Sequence, residues 1–453
     1  MKVIKFGGSS LSSGEQLKKV FDIVQSDPSR KVVVVSAPGK RSADDIKITD
    51  LLIGCAERFI REGAADELVG VIEDRFASLA ADLGVPAEIA VQIRKNILDV
   101  LNGDRSNPDR YMEAVKASGE DNNARLVAAY FQQQGLEASY VNPGEAGLIV
   151  SDEPGNAQVL PESYEKLYEL RERPGIVVFP GFFGYNSQGD VVTFSRSGSD
   201  ITGSILANAI KAELYENFTD VDAVYSVNPN IVKNPREIRE LTYREMRELA
   251  YAGFAVFHDE ALIPAFRAGI PVQIKNTNNP SAPGTRIVQE RASTNGPVIG
   301  IASDTGFCSI YVSKYLMNRE VGFGRKLLHI LEDFGLSYEH VPSGIDDLSV
   351  IIRQSQLDSE KEKAIMDRFK QELQVDEIKI TRDLALIMIV GEGMRKRVGT
   401  MARAANAFGR AGVNLEMINQ GSSEVSMMFG VKEPGEKAAV HALYDEFFSS
   451  VSV

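Results

Sequence analysis

No run of about 20 apolar residues occurs in the 453-residue chain, so no helix of the length needed to span a bilayer is expected. Cysteine is scarce. Cys55 and Cys308 stand far apart, which excludes a disulfide framework and a zinc cluster and suits a reducing compartment. The four histidines, His258, His329, His340 and His441, show no metal-ligand spacing, and H-E-x-x-H does not occur, so no metal site built from protein ligands is expected. Positive charge is in deficit: 50 Lys and Arg against 63 Asp and Glu give a net charge of −13. Such a surface repels phosphate backbones and anionic membranes, so neither nucleic acid nor membrane is expected as a partner. An anionic substrate would need a local basic pocket. The opening residues, MKVIKFGGSS, contain no apolar signal segment, which predicts a cytoplasmic protein. The phosphate-loop signature G-x-x-x-x-G-K-[ST] is missing as well, which excludes a P-loop NTPase.

What remains is a globular composition, 43% hydrophobic and 25% charged, long enough for about three domains. Val3–Phe6 reads as a strand that breaks at Gly7-Gly8. Leu17, Val20, Phe21 and Val24 then recur at helical spacing. Val32–Val35 is apolar throughout, as in a strand buried on both faces of a parallel sheet. Similar runs at Ile176–Phe179 and Pro271–Ile274 alternate with helical stretches such as 66–83 and 123–134. The alternation predicts an α/β fold whose chemistry lies in the loops just after strands. A loop-rich interval at 277–297 marks a boundary. Beyond it the sequence repeats at a constant offset of 77 residues, from Ile310 to Ile387, Gly335 to Gly412, Asp347 to Glu424 and Ser349 to Ser426. Each copy reads strand, helix, glycine turn, strand, strand, which predicts two duplicated small α+β domains.

Lys5-Phe-Gly-Gly-Ser-Ser10 joins a strand to a helix. Glycines there let backbone amides face an anion, and Lys5 adds a full charge; an ordinary turn is the alternative. In Phe194–Thr202, Arg196 has the fork that grips a carboxylate, and Asp200 near a helix start reads equally as a cap. Thr219-Asp220 and Lys275 each follow a strand, where a turn and a solvated lysine are the ordinary readings. Ser118-Gly-Glu120 reads as a helix start, with Glu120 paired to the helix dipole. Asp333-Phe-Gly335 lies inside the repeat without the other kinase motifs and reads as a glycine cap.

Taken in order, Lys5-Phe-Gly-Gly-Ser-Ser10, Ser36-Ala37, Ser118-Gly-Glu120, Arg196–Asp200, Thr219-Asp-Val221, Tyr225 and Lys275, followed by the repeat, closely resemble the aspartate kinase (aspartokinase) family. The stretch Tyr251–Ala261 is similar to that family too. The resemblance implies an amino-acid-kinase-like sandwich with a central, mostly parallel sheet at 1–290. Two α+β ferredoxin-like ACT domains follow, at 303–380 and 381–453, with one inserted in the other and the strand 298–302 completing the later. The implied reaction turns ATP and L-aspartate into ADP and 4-phospho-L-aspartate, opening lysine, threonine and methionine synthesis. Its nucleophile is a carboxylate with a free pKa of about 3.9, so no general base is needed. Positive charge and positioning must then bring two anions together.

By the same resemblance, Lys5, Lys275 and the loop Gly7, Gly8 and Ser9 hold the transferring phosphoryl group, and Mg²⁺ is held mainly by the ATP phosphates. Asp200 organises the lysines, Arg196 grips a substrate carboxylate, and Glu120 pairs with the α-ammonium. Ser36, Thr49 and Ser199 line the aspartate site; Thr219, Asp220 and Tyr225 belong to the nucleotide site. Where many members carry Asp-Pro-Arg, this chain has Asn228-Pro-Asn230, with Lys233 and Arg236 nearby. ACT domains imply control by an end-product amino acid and a homodimer or higher oligomer. The effector set is Met317, Glu339, Val341, Ser343 and Asp346 of the first repeat, with Asn414 and Gln420 of the second lining the site across the dimer. Glu339 and Asp346 suit the cationic side chain of lysine better than threonine, which is the second choice. Three other readings compete. A same-fold kinase with another carboxylate substrate is disfavoured by Ser118-Gly-Glu120, Arg196 and the tandem repeat. A dead amino-acid sensor would have lost Lys5 or Asp200. A fused homoserine dehydrogenase is not expected in a chain that stops at Val453 without G-x-G-x-x-G after a strand.

Overall fold

The apolar runs of the first 290 residues become strands. In the computed structural model, which describes residues 1–254, 260–291, 296–422 and 425–449, Lys2–Phe6 (β1), Arg30–Val35 (β2), Ala138–Tyr140 (β3), Ile176–Pro180 (β4), Leu214–Thr219 (β5), Glu240–Thr242 (β6), Val272–Asn276 (β7) and Thr285–Val288 (β8) form one sheet. Its order is β6-β8-β7-β5-β1-β2-β4-β3. Every pairing is parallel except β7 with β8. Val32 to Val35 are fully buried, as a central strand covered on both faces requires.

Helices Gly14–Gln25 (α1), Ile48–Glu62 (α2), Asp66–Leu83 (α3), Ala87–Leu101 (α4), Pro108–Gln133 (α5) and Gly198–Ala209 (α6) accompany this sheet. Leu17, Val20, Phe21 and Val24 of α1 share a core with Ile72 and Phe76 of α3 and with Tyr130 and Phe131 of α5. The Ser118-Gly-Glu120 motif lies in the middle of α5 rather than at a helix start, which corrects the sequence-based expectation. The helix begins ten residues earlier, at Pro108, where the Asn107 side chain accepts a hydrogen bond from the Arg110 amide at 3.2 Å. Gly119 is a packing residue. A Cβ there would stand 3.0 Å from Ala37 Cβ and 3.1 Å from Leu52 Cδ1, so glycine lets α5 close on α2 and on the loop after β2.

Two units emerge from the packing: residues 1–224, 237–247 and 255–292, and residues 225–236, 248–254 and 293–453. The second is built on an antiparallel sheet of Gly300–Ser313 (β9), Asp347–Arg353 (β10), Glu377–Val390 (β11), Met417–Asn419 (β12) and Ser426–Lys432 (β13), in the order β10-β9-β11-β13-β12. The long strands β9 and β11 each serve both repeats. Gly300–Asp304 pairs with Leu386–Val390, and Phe307–Ser313 pairs with Glu377–Leu384. The register breaks between them, where Gly306 and Asp383 take left-handed φ values of 83° and 58°.

Phe323–Asp333 (α7) and Ser359–Arg368 (α8) cover the first repeat; Thr400–Arg410 (α9) and Glu436–Tyr444 (α10) cover the second. The repeated glycines do the same work in each copy. Gly322 and Gly399 precede α7 and α9 at φ 79° and 90°, and Gly335 and Gly412 follow them at 67° and 66°. Asp333-Phe-Gly335 is therefore a helix end. Val227 and Val232 join the core of the second repeat. Among the described residues no helix is long and apolar enough to cross a membrane. His258, with the rest of 255–259 in the Tyr251–Ala261 stretch, and Glu424 of the repeat lie outside the described residues.

Candidate functional site

The ends of β1, β2 and β5 converge. The Gly7 amide donates to the Phe218 carbonyl at 3.2 Å, the Ser36 amide to Phe6 at 3.3 Å and the Gly39 amide to Gly8 at 2.9 Å. Gly8 and Gly39 stand back to back: a Cβ on Gly39 would lie 2.5 Å from the Gly8 carbonyl carbon. Two chain segments can approach this closely only where neither has a side chain. The Arg75 guanidinium fastens the loop beyond, donating to the Gly39 carbonyl at 3.1 Å and pairing with Asp45 at 2.6 Å. Gly7 lies beside Lys5: a Cβ there would be in contact with Lys5 Nζ, at 3.4 Å.

Lys5 and Asp200 form the electrostatic centre. Asp200 sits in the first turn of α6, and its Oδ1 lies 2.6 Å from Lys5 Nζ, with both side chains buried. Ser199 is buried beside it, against the bare backbone of Gly181. Arg196 is exposed and has no ion-pair partner among the described residues. It precedes Ser197, which holds a left-handed φ of 65°.

Glu120 is buried at 5% exposure, and its Oε2 has no hydrogen-bond partner. Burial pushes its carboxyl up to about 8, against the pull of the Ala37 amide. One turn later Asn123 donates to the Ser36 carbonyl at 2.7 Å and leaves its own Oδ1 buried and unpaired. Thr49 is half-buried in the first turn of α2. On the other side of the β1 end, the Thr219 hydroxyl donates to Asp220 at 3.1 Å, and the Thr277 amide donates to the Thr219 carbonyl at 2.9 Å. Ser9 is exposed, and Ser10 shares a 2.7 Å hydrogen bond with Thr277.

Lys275 does not join this cluster. Lys5 and Ile274 are both register partners of Asn217, whereas Lys275 pairs with Phe218. Alternation therefore puts Lys275 on the opposite face of the sheet from Lys5. Its charged neighbours there are Glu216, Arg30 and Lys2, and burial lowers its pKa. Tyr225 belongs to the second unit.

Several residues that hold the site escaped the sequence reading. Asn217 donates to Asp200 Oδ1 at 2.6 Å, and Arg75 and Asn123 brace the loop after β2. Asn217 stands among other polar residues, Glu216 and Thr219, in its strand, so the sequence offers little signal for it. Arg75 and Asn123 sit on helices and carried none.

The residues named for the effector are spread over the second unit. Met317 is buried in the first repeat's core. Glu339 accepts from the Tyr251 hydroxyl and lies 3.7 Å from Arg353. Asp346 has a buried, unpartnered Oδ1. Ser343 lines a groove of about 560 Å³ with Tyr311, Asp347, Glu377, Lys379 and Glu416. Val341 packs on the edge of the first core. Asn414 and Gln420 are exposed, and Asn414 donates to Glu416 at 3.1 Å.

Comparison with known proteins identifies the family. A model of the amino acid kinase family matches residues 1–276, and an ACT domain model matches 387–447. The chain is 67% identical over 453 residues to Aspartokinase 3 of Bacillus subtilis, covering 100% of each. It is 28% identical to the chloroplastic Aspartokinase 1 of Arabidopsis thaliana, over 99% of this chain and 80% of that one. The crystal structure of Clostridium acetobutylicum aspartate kinase is similar with a TM-score of 0.87 and 38% identity, over 99% of this chain and 100% of that one. E. coli aspartokinase III in complex with aspartate and ADP shares the fold, with a TM-score of 0.79 and 23% identity over 98% and 99% of the two chains.

Proposed function

The chain belongs to the aspartokinase family and is an aspartate kinase; we propose that electrostatic positioning around Lys5 carries its phosphoryl transfer from ATP to the β-carboxylate of L-aspartate. The observation that carries this reading is the buried Lys5–Asp200 pair, 2.6 Å apart, beside the open backbone of Gly7 and Gly8. Asp200 holds the ammonium in place while leaving it a donor toward the phosphoryl oxygens. The amides of Gly8 and Ser9 offer further hydrogen bonds to the same group, whereas the Gly7 amide is spent on the Phe218 carbonyl. Thr219 and Asp220 form the nucleotide side.

Glu120 receives the α-ammonium of aspartate, since its unpaired Oε2 is an acceptor without a partner. Arg196, exposed and without an ion pair among the described residues, takes a substrate carboxylate. Ser36, Thr49 and Ser199 line the aspartate pocket. The Mg²⁺ that accompanies ATP would be held chiefly by phosphate oxygens, as the family resemblance implies. It would neutralise charge on the transferring group. Lys275 has no part in this scheme, because it stands on the other face of the sheet.

The catalytic part comprises residues 1–290, with regulatory repeats at 303–380 and 381–453. Lysine is the proposed effector, with threonine as the second choice. Support for lysine rests on Asp346, whose unpartnered oxygen would meet a cationic side chain. Glu339 is already engaged by Tyr251 and Arg353. A homodimer or higher assembly is proposed from the exposed apolar residues of the repeats: Val321 at 94%, Val398 at 106% and Ile345 at 71%. The buried free thiols Cys55 and Cys308 suit the cytoplasm. With Mg-ATP and L-aspartate the purified enzyme should form an acyl phosphate that hydroxylamine traps. A faster reaction with glutamate or N-acetylglutamate would overturn the substrate assignment.

A further inference from the structure

We propose that Asn217 is a positioning residue for phosphoryl transfer, fixing the Asp200 carboxylate on which the Lys5 ammonium is seated. The proposal rests on the roles given to Lys5 and Asp200 above. Asn217 lies in β5, in register with Lys5 of β1, so both side chains rise from the same face of adjoining strands. Asn217 Nδ2 donates to Asp200 Oδ1 at 2.6 Å, the same oxygen that meets Lys5 Nζ at 2.6 Å. All three side chains are buried.

Tyr215 fixes the orientation of the amide. Its hydroxyl donates to the Asp200 main-chain carbonyl at 3.2 Å, so its oxygen is left to accept from Asn217 Nδ2 at 3.1 Å. An amide turned the other way would set its oxygen against both the carboxylate and that hydroxyl oxygen. Burial and the Asp200 carboxylate hold the Tyr215 phenol well above its usual pKa, so it stays a donor. Tyr215 in turn has nowhere to go, since a Cβ at Gly203, one turn after Asp200, would lie 2.5 Å from its hydroxyl oxygen.

The chemistry explains why an amide serves here. A second cation would neutralise Asp200 and weaken its hold on Lys5. An apolar side chain would leave Asp200 free to rotate and carry Lys5 off line. A neutral donor orients the carboxylate and leaves its full charge to Lys5. In a water-poor site a displacement of about 1 Å costs on the order of 10² in rate.

The test compares Asn217→Leu, Asn217→Asp and Lys5→Ala with the parent enzyme, measuring kcat and KM for aspartate and ATP from about pH 6 to about pH 8.5. Asn217→Leu should lower kcat by about 10- to 10²-fold and leave KM for aspartate nearly unchanged. Asn217→Asp keeps the shape and puts a second carboxyl against Asp200. Of two such acids one retains its proton to a raised pH, and that proton restores the donor. The charged and titratable groups facing the introduced carboxyl are Lys5 of β1, Asp200 of α6 and Tyr215 of β5. The kcat of Asn217→Asp relative to the parent should therefore recover toward pH 6 and fall as pH rises, while the ratio for Asn217→Leu stays flat. A kcat within about twofold of the parent for Asn217→Leu would overturn the proposal, as would a flat ratio for Asn217→Asp. If Asn217→Leu does not fold, the near-isosteric Asn217→Asp profile decides alone. Loss of activity in Lys5→Ala with Asn217→Leu intact rejects Asn217 only. Retained activity in Lys5→Ala rejects the Lys5 reading and the proposal with it.

Discussion

The two units of this enzyme treat charge in opposite ways. The catalytic unit buries Lys5, Arg30, Arg75, Glu113, Glu120, Asp200, Glu216 and Glu245, while among the described residues of the regulatory unit no charged side chain is buried. Its ion pairs, such as Lys314 and Lys326 on Glu320, stay partly in water. Desolvating a charge is costly unless it is paired and hydrogen-bonded. The other buried ionisable groups of the catalytic unit have such partners; Glu120, which lacks an ion pair and which burial holds neutral, is the group assigned to meet the substrate ammonium. In the regulatory unit the sheet and the duplicated glycine turns carry the architecture. The same kind of substitution should therefore have very different consequences in the two places.

Arg30→Ala should produce the largest change. Arg30 forks onto Glu216 at 2.7 and 3.0 Å, with both side chains buried. Stranding Glu216 should cost about 3–5 kcal/mol, read as an earlier urea transition of the catalytic unit. A double change of Arg30→Met with Glu216→Leu should recover most of it. Glu120 gives the next effect, on pH dependence. Its carboxyl titrates at about 8 before substrate binds, so below that pH it is neutral and must lose a proton to pair with an ammonium. KM for aspartate should fall as pH rises toward 8, by up to about tenfold per unit, and Glu120→Gln should flatten that profile. A wild-type KM that rises over the same range would contradict the assignment.

The regulatory substitutions should do less to the enzyme itself. Ser343→Leu and Asp346→Ala should relieve lysine inhibition while kcat without lysine stays within about twofold. An enzyme indifferent to millimolar lysine would remove the effector proposal, and inhibition unchanged in both variants would remove the site. Lys326→Ala should do least. Its 2.8 Å pair with Glu320 leaves the lysine side chain 44% exposed, and such pairs contribute about 0–1 kcal/mol. A large loss of stability there would erase the contrast between the units.

The sequence exposes some of this design and conceals the rest, for physical reasons. Val32–Val35 announces a buried parallel strand because every residue must be apolar when both faces are covered. The repeat is legible because glycines at 322, 335, 399 and 412 meet the same backbone demand twice. The Gly7-Gly8 loop and Asp200 stand out only in combination, because each alone reads as an ordinary turn or a helix cap. Glu216 and Arg30 are 186 residues apart, and a pair made by tertiary folding leaves no local trace. Ser118-Gly-Glu120 misleads because Gly119 marks a close approach of helix to loop, which resembles a break in the pattern. In the sequence Lys275 follows a strand as an isolated lysine, but which face of the sheet it occupies depends on strand register, and register is set by pairing between strands. Asn217 had a faint signal, a polar side chain within Leu214–Thr219, but its partner Asp200 comes from a separate helix.

The account stands most directly on Lys5. The measurement is the kcat of Lys5→Ala with saturating Mg-ATP and L-aspartate, made on protein whose folding is verified by its urea transition. Removing one electrostatic stabiliser of a developing charge typically costs on the order of 10²–10³ in rate, and a loss of that size, with KM for aspartate little changed, is the predicted result. A Lys5→Ala enzyme that turns over within a few-fold of the parent would contradict the claim that the buried Lys5–Asp200 pair carries the transfer.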